Sequence, residues 1–217
     1  MNHHRHIGPR LVAAQTVQDA PWPTLPIIGI AGHARAGKDT IAQIIQQEYR
    51  CMTYAFAEPL KAMLRAIGLD EQDLNGKRKD ETNNDFQATP RYMMQTLGTE
   101  WGRDTINDNI WVILAAKRIK QMNRSQPDAT IIVTDVRTQK EADFVRQHGF
   151  LIHVTRPIQR LDGREHRTET PVSIQDNDLI IINDGNLLDL REEALRIAVD
   201  ISNRVNHALK VEMAHAS

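Results

Sequence analysis

Between Gly32 and Thr40 the chain reads Gly-His-Ala-Arg-Ala-Gly-Lys-Asp-Thr, directly after the apolar run from Leu25 to Ala31. A glycine-rich loop between a strand and a helix turns several backbone N–H groups inward. The helix N-terminus adds positive potential, so this spacing makes a phosphate cradle. Gly32, Arg35, Ala36, Gly37, Lys38, Asp39 and Thr40 are its candidate nucleotide-binding residues, with Lys38 reaching the β- and γ-phosphates. Asp39 stands where Ser or Thr normally follows the lysine, and the hydroxyl comes one place later at Thr40.

Three further groups can do chemistry. Asp135 follows a second apolar run, Thr130 to Thr134, where a carboxylate can hold Mg²⁺; an ordinary loop or N-cap aspartate is the alternative. Arg137 emerges at the same sheet edge, outside which ligands of open α/β sheets bind, and a solvated arginine is the competing reading. The stretch from Arg91 to Trp111 adds Gln95, Gly98, Thr99, Glu100, Trp101, Arg103 and Asp104. This mixture of guanidinium, amide and aromatic groups suits a phosphate and a base, because the planar fork of arginine can pair two phosphate oxygens. Trp111 fits either a base-stacking surface or the core. Finally, Arg156-Pro157 with Arg160, Arg164, His166, Arg167 and Glu169 makes an arginine-rich excursion between two strands, the composition of a lid over a triphosphate.

These residues need a scaffold, and the pattern supplies one. Ile41, Ile44 and Ile45 mark a helix from Thr40 to Tyr49, followed by a short strand from Met52 to Phe56. Pro59 opens a helix from Glu58 to about Ile67, stopped by Gly68. Asp70 to Ala88 is polar and reads as an exposed excursion. Thr89-Pro90 is an N-cap followed by a first-turn proline, with Met93, Met94 and Leu97 on the buried face. Asn107 caps a further helix that buries Ile110, Trp111, Leu114, Ala115 and Ile119, and Pro127 lies in the turn beyond. Thr138-x-x-Glu141 is a capping box for a helix ending near Gly149. Phe150 to Val154 and Leu179 to Ile182 complete five strands, and a last helix covers about Leu187 to Arg204. Near-continuous apolar strands alternating with helices imply an α/β fold around a parallel sheet.

Composition narrows the function classes. In 217 residues, 27 Lys plus Arg nearly balance 28 Asp plus Glu, so no global field points to nucleic acid or an anionic membrane. No apolar run approaches the roughly 20 residues that cross a bilayer. The single cysteine, Cys51, excludes an internal disulfide and suits a reducing cytoplasm. Residues 1–25 carry a histidine cluster without the apolar core of a signal peptide and read as a flexible extension. Residues 208–217 read as a polar tail, leaving one domain over 26–207.

The set Gly32-xxxx-Gly-Lys-Asp-Thr40, Glu58-Pro-Leu-Lys61, Arg91-Tyr-Met-Met-Gln-Thr-Leu-Gly-Thr-Glu100, Asn109-Ile-Trp-Val112, Asp135-Val-Arg137, Val154-Thr-Arg-Pro157, His166-Arg-Thr-Glu169 and Ile182-Asn-Asp-Gly185 resembles the bacteriophage deoxynucleoside monophosphate kinases. The match spans about residues 27–195, with the motifs in the family's order. The resemblance implies a P-loop, adenylate-kinase-like fold: a three-layer α/β/α sandwich on a five-stranded parallel sheet, an acceptor-binding region near 57–112 and a lid near 156–172. It implies ATP and Mg²⁺ as cofactors, a deoxynucleoside monophosphate as the small-molecule acceptor, and the reaction ATP + dNMP → ADP + dNDP. Lys-Asp-Thr is usual in this family, with Asp39 taking over or supporting the metal-ligand role beside Thr40 and Asp135. Carried over by motif, Lys61, Arg91, Gly98, Thr99, Trp111 and Arg137 look like monophosphate-site residues, with Gln95 beside them. Arg156 and Arg160 look like ATP-side groups, and Lys38, Arg91 and Arg137 carry the catalytic roles. A phage-encoded chain would work in the host cytoplasm, and a homodimer is left open. Phosphomevalonate or dephospho-coenzyme A as acceptor, on the same fold, and a non-kinase nucleotide switch are the rivals.

Overall fold

The structure is a computed structural model that describes residues 26–157 and 172–215. The chain divides into two compact units, one made of Ala55–Lys117 and the other of the chain on either side of it.

The larger unit holds the sheet. Strands β1 (Ile27–Ala31), β2 (Cys51–Tyr54), β3 (Thr130–Val136), β4 (Gly149–Thr155) and β5 (Leu179–Ile182) pair in the order β2-β3-β1-β4-β5, all parallel. All five residues of β1 are buried, as a central strand covered on both faces requires. Ile28 and Ile30 pack on one face with Ile41 and Ile45 of helix α1 (Lys38–Glu48) and with Leu190, Ala194, Ile197 and Ile201 of α7 (Leu187–His215). Gly29 faces the other way, toward α6 (Gln139–His148). A Cβ there would come within 2.6 Å of Val145, so glycine lets that helix lie close on the sheet. The result is the expected α/β/α sandwich. The last helix continues to His215 instead of stopping near Arg204, so residues 208–215 are helical where the sequence suggested a tail.

Thr138 opens α6 as the sequence predicts. Its hydroxyl accepts from the Glu141 amide at 3.3 Å, while the buried Glu141 carboxylate accepts from Thr138 N at 3.0 Å and Arg137 N at 2.8 Å. Behind it lies an unforeseen buried cluster. The Asp178 carboxylate, 2% exposed, accepts from Arg146 Nε at 3.0 Å and Nη2 at 2.7 Å and from Gln175 N at 2.9 Å. It also pairs with His153 Nε2 of β4 at 2.8 Å. Arg146 Nη2 reaches Ser173 O as well, so residues 173–178 are tied to α6 before β5 begins.

The smaller unit contains α2 (Glu58–Ala66), α3 (Glu71–Leu74), α4 (Pro90–Thr96) and the start of α5 (Ile110–Ser125). The stretch after Asp70 is mostly exposed, as the sequence suggests, yet it has local structure of its own. Asp70 and Asp73 cap α3 reciprocally, Leu74 is fully buried, and a 3₁₀ turn follows at Lys77–Asp80. Arg78 Nε pairs with Asp73 at 2.9 Å and its Nη2 with Asp70 at 2.5 Å, and these contacts lower the Asp73 carboxyl pKa. Leu64, Leu69 and Leu74 form a small core with Met93, Met94 and Leu97. Thr89 caps α4 as predicted, accepting from Tyr92 N at 3.1 Å. The helix then widens into a π-helical stretch from Leu97 to Ile106, a form that occurs mostly as short bulges and often at functional sites. Asn107 ends it, and its side chain accepts from Asn109 N in a turn leading into α5. Along α5, Trp111, Ala115 and Ile119 are buried, and Ile110 and Leu114 are partly so.

Candidate functional site

The loop after β1 is shaped by backbone requirements. Gly32 has φ 146°, and a Cβ there would run into the Val154 carbonyl of the neighbouring strand. Arg35 adopts φ 63° and Gly37 φ 108°, so the chain turns through the left-handed region twice before α1. Gly37 is the N-cap and has no side chain to cover the first-turn amides, which therefore face whatever fills the cradle. Lys38 Nζ donates to Gly32 O at 2.7 Å and His33 O at 2.8 Å, folding its charge back over the loop. Asp39 is exposed in the first turn, where a carboxylate complements the helix dipole, and Thr40 is half-buried beside it.

A cavity of about 410 Å³ lies over this loop. Its wall includes Arg35, Gly37, Lys38, Asp39 and Thr40, and it gathers Arg156 from the end of β4 with Asn183, Asn186 and Leu187 after β5. The structure thus brings together the predicted loop residues and Arg156. Arg160 and the other arginines of the expected lid fall among residues 158–171, outside the described residues. In the sequence Asn183 stands out only as part of the run Ile182-Asn-Asp-Gly185. Its contact with the loop crosses 147 positions, and no local pattern announces such a contact.

Asp135 lies on β3, where pairing slips: Gly29 faces Val133, but Ala31 faces Val136. This irregularity accommodates Thr134 and Asp135 one residue short of the partner of Ala31, which itself precedes Gly32. Bulges of this kind re-aim side chains next to active sites. Asp135 is half-buried and Arg137, beyond the strand, is exposed. Among the described residues no group of three or more His, Cys, Asp or Glu could hold a metal by itself. The oxygen donors Asp39, Thr40 and Asp135 suit Mg²⁺, which is commonly held by one or two protein ligands, water and phosphate oxygens.

The other predicted residues lie in the smaller unit. Lys61 is half-buried on α2, and Arg91 and Gln95 are exposed on α4. Arg91 is paired with Asp80, a partner that sequence reasoning did not single out. Thr99 is exposed on the π-helical stretch, with its hydroxyl 3.5 Å from Arg103 Nη1. Two expectations change. Trp111 is 3% exposed and its indole N–H donates to Gly98 O at 2.8 Å, so it is a core residue rather than an open stacking surface. Gly98 is buried too: a Cβ would lie 3.3 Å from Leu60, and its place is to pack, carrying the carbonyl that holds Trp111. Gly102 is likewise shaped by the indole, which a Cβ there would strike.

Among the described residues no helix is long and apolar enough to cross a membrane. The family model for deoxynucleotide monophosphate kinases matches residues 26–89 and 68–194. A chain of Acanthamoeba polyphaga mimivirus, provisionally named a deoxynucleotide monophosphate kinase, is 29% identical over 193 residues, covering 83% of this chain and 99% of its own. The deoxynucleotide monophosphate kinase of Enterobacteria phage T4 is 28% identical over 232 residues, covering 76% of this chain and 95% of that one. That of Escherichia phage RB69 is 33% identical over 130 residues, covering 59% and 52%. The matched residues cover more than half of the chain and include both the glycine-rich loop after β1 and the stretch from Arg91 to Trp111, so this chain belongs to the deoxynucleotide monophosphate kinase family.

Proposed function

We propose that the chain performs its family's reaction with ATP as donor and Mg²⁺ as cofactor, passing the γ-phosphoryl group directly to the phosphate of a deoxynucleoside monophosphate. The observation that carries this reading is the cradle itself: an uncapped helix N-terminus, a lysine folded over the loop and two arginines on one cavity wall.

In this reading Lys38 leaves the carbonyls of Gly32 and His33 for the β- and γ-phosphates, and the amides of Gly37 to Thr40 hold the phosphate oxygens. Arg35 and Arg156 add charge from the cavity wall. Asp39, Thr40 and Asp135 are the residues that would hold Mg²⁺, which when bound neutralises charge on the phosphates. Arg91 and Arg137 bind the acceptor phosphate and screen its charge, with Lys61, Gln95 and Thr99 completing its site. An oxygen of the acceptor phosphate attacks the γ-phosphorus in line, and the bond to the bridging oxygen breaks to release ADP. Phosphoryl transfer leaves the protein mainly positioning and charge stabilisation, the work this residue set is suited to. No nucleic acid or membrane enters the reaction, and the substrates are those of a cytoplasmic nucleotide pool.

The test is ADP release from ATP with dTMP, dGMP, dCMP, dAMP and, as a control, phosphomevalonate. ADP formation only with deoxynucleotides supports the reading. Turnover with phosphomevalonate alone, or ATP loss that needs no acceptor, overturns it.

A further inference from the structure

The side chain of Asn183 is nearly enclosed, 7% exposed, at the point where the chain leaves the edge strand β5. Its backbone N–H donates to Thr155 O at 2.7 Å, fixing it against the end of β4. Its side-chain Nδ2 donates to Ala36 O at 2.8 Å. A carbonyl oxygen only accepts, so it must be the amide nitrogen, not the oxygen, that faces Ala36.

This contact sets a direction. In a planar trans peptide the carbonyl of one residue and the N–H of the next point opposite ways. Holding Ala36 O toward Asn183 therefore turns the Gly37 N–H away from Asn183. Gly37 lines the cavity, adopts φ 108° and ψ 12°, and has no room for a side chain, because a Cβ would sit 2.7 Å from Nδ2. Glycine at 37 and asparagine at 183 are thus fitted to each other.

We propose that Asn183 is a positioning residue of the donor site: by gripping the Ala36 carbonyl it aims the Gly37 amide at the phosphates of the donor nucleotide. The proposal rests on the reading of this cavity as the ATP site. A carboxylate at 183 would set two acceptors face to face and add negative charge beside the phosphates. A leucine would leave the Ala36 carbonyl without its donor.

The experiment measures ATP affinity by calorimetry without acceptor, together with KM for ATP and for the dNMP, in wild type, Asn183→Leu and Asn183→Asp. The expected result for Asn183→Leu is ATP affinity weaker by about tenfold, the equivalent of one misdirected hydrogen bond. Asn183→Asp should lose more, and the dNMP KM should stay near wild type in both. A readout that general destabilisation would not reproduce is the Gly37 amide resonance, which should shift on ATP addition in wild type and start from a different position in the variants. Should both variants fail to fold, the wild-type spectrum decides. A Gly37 amide that ATP leaves unmoved overturns the proposal, and one that shifts while the Asn183 side-chain amide stays slow to exchange supports it. Wild-type ATP affinity in a folded Asn183→Leu overturns the role of Asn183 alone. Failure of the wild-type protein to bind ATP removes both this proposal and the reading beneath it.

Discussion

Asp80, the last residue of the 3₁₀ turn, grips Arg91 of α4 with both carboxylate oxygens, one on Nε and the other on Nη2 at 3.1 Å. Two-point pairing fixes the plane of the guanidinium as well as its position. The Arg91 and Asp80 side chains are 46% and 66% exposed, so the pair adds little stability. Its worth is geometric.

Arg91→Lys keeps the charge and loses the fork. Steady-state kinetics should show the dNMP KM raised about tenfold, with the ATP KM nearly unchanged. Asp80→Asn should raise the dNMP KM several-fold while moving Tm by no more than about 2–3 °C, the shift expected for a weak surface pair. An unchanged KM in both variants would remove Arg91 from the acceptor site.

Lys38→Ala should cut kcat by at least about 100-fold, the usual cost of losing a charge-stabilising donor. The circular dichroism spectrum should stay that of the wild type, because the carbonyls of Gly32 and His33 that Lys38 binds lie in the loop, outside the sheet and helices. Full turnover in this variant is incompatible with the proposed role of the loop.

Gly32→Ala forces a methyl group toward the Val154 carbonyl at a φ that side chains rarely adopt. Strain of about 1–3 kcal/mol corresponds to a Tm loss of roughly 2–12 °C for a domain of this size. Thermal melting with and without ATP should show the loss together with a smaller ATP-induced rise.

Burial pushes the Asp178 carboxyl pKa up, but the hydrogen bonds from Arg146, Gln175 N and His153, with the charge of Arg146, outweigh it and leave it below the ordinary carboxylate value. A depressed folded pKa gives stability that is complete above the unfolded value near 3.9 and is lost as pH falls through the folded one. Denaturant titrations from pH 6 down to 2 should therefore show a steeper acid loss in wild type than in Asp178→Asn. The variant should be less stable at pH 6, where Arg146 keeps its charge but loses its buried carboxylate and is left with the more exposed Asp143.

Much of the scaffold is legible in the chain because it rests on local rules. Thr89-Pro90, Thr138-x-x-Glu141 and the glycine after Ile67 announce helix ends through hydrogen bonds made within a few residues. The run Thr130–Thr134 announces a strand buried on both faces. The stretch after Asp70 is not legible in this way, since Asp70, Asp73 and Arg78 have the same composition whether they face water or one another. Nor is the role of Trp111: its helical spacing suits core and ligand surface equally, and only the bond to Gly98 O decides. The loop after β1 is legible because its whole motif lies within nine positions. The contacts of Asn183 and Asp80 are not legible, because each reaches a partner far along the chain or in another turn.

Trp111→Phe separates those two roles. Losing the indole donor should cost about 1 kcal/mol, or roughly 2–4 °C in Tm, with the dNMP KM within about twofold of wild type. A large KM increase at unchanged Tm would return the ring to the substrate.

The π-helical stretch from Leu97 to Ile106 makes this part of the chain sensitive to its own length. Removing one residue while the turns keep their widened spacing would swing everything on one side of the cut by about a quarter turn relative to the other. Met93 and Met94 would then leave the small leucine core, or Trp111 would leave the Gly98 carbonyl. Substitutions between these anchors can be absorbed one side chain at a time. Insertions and deletions cannot, so anyone grafting, shortening or circularly permuting this protein has to treat these ten residues as a fixed-count spacer.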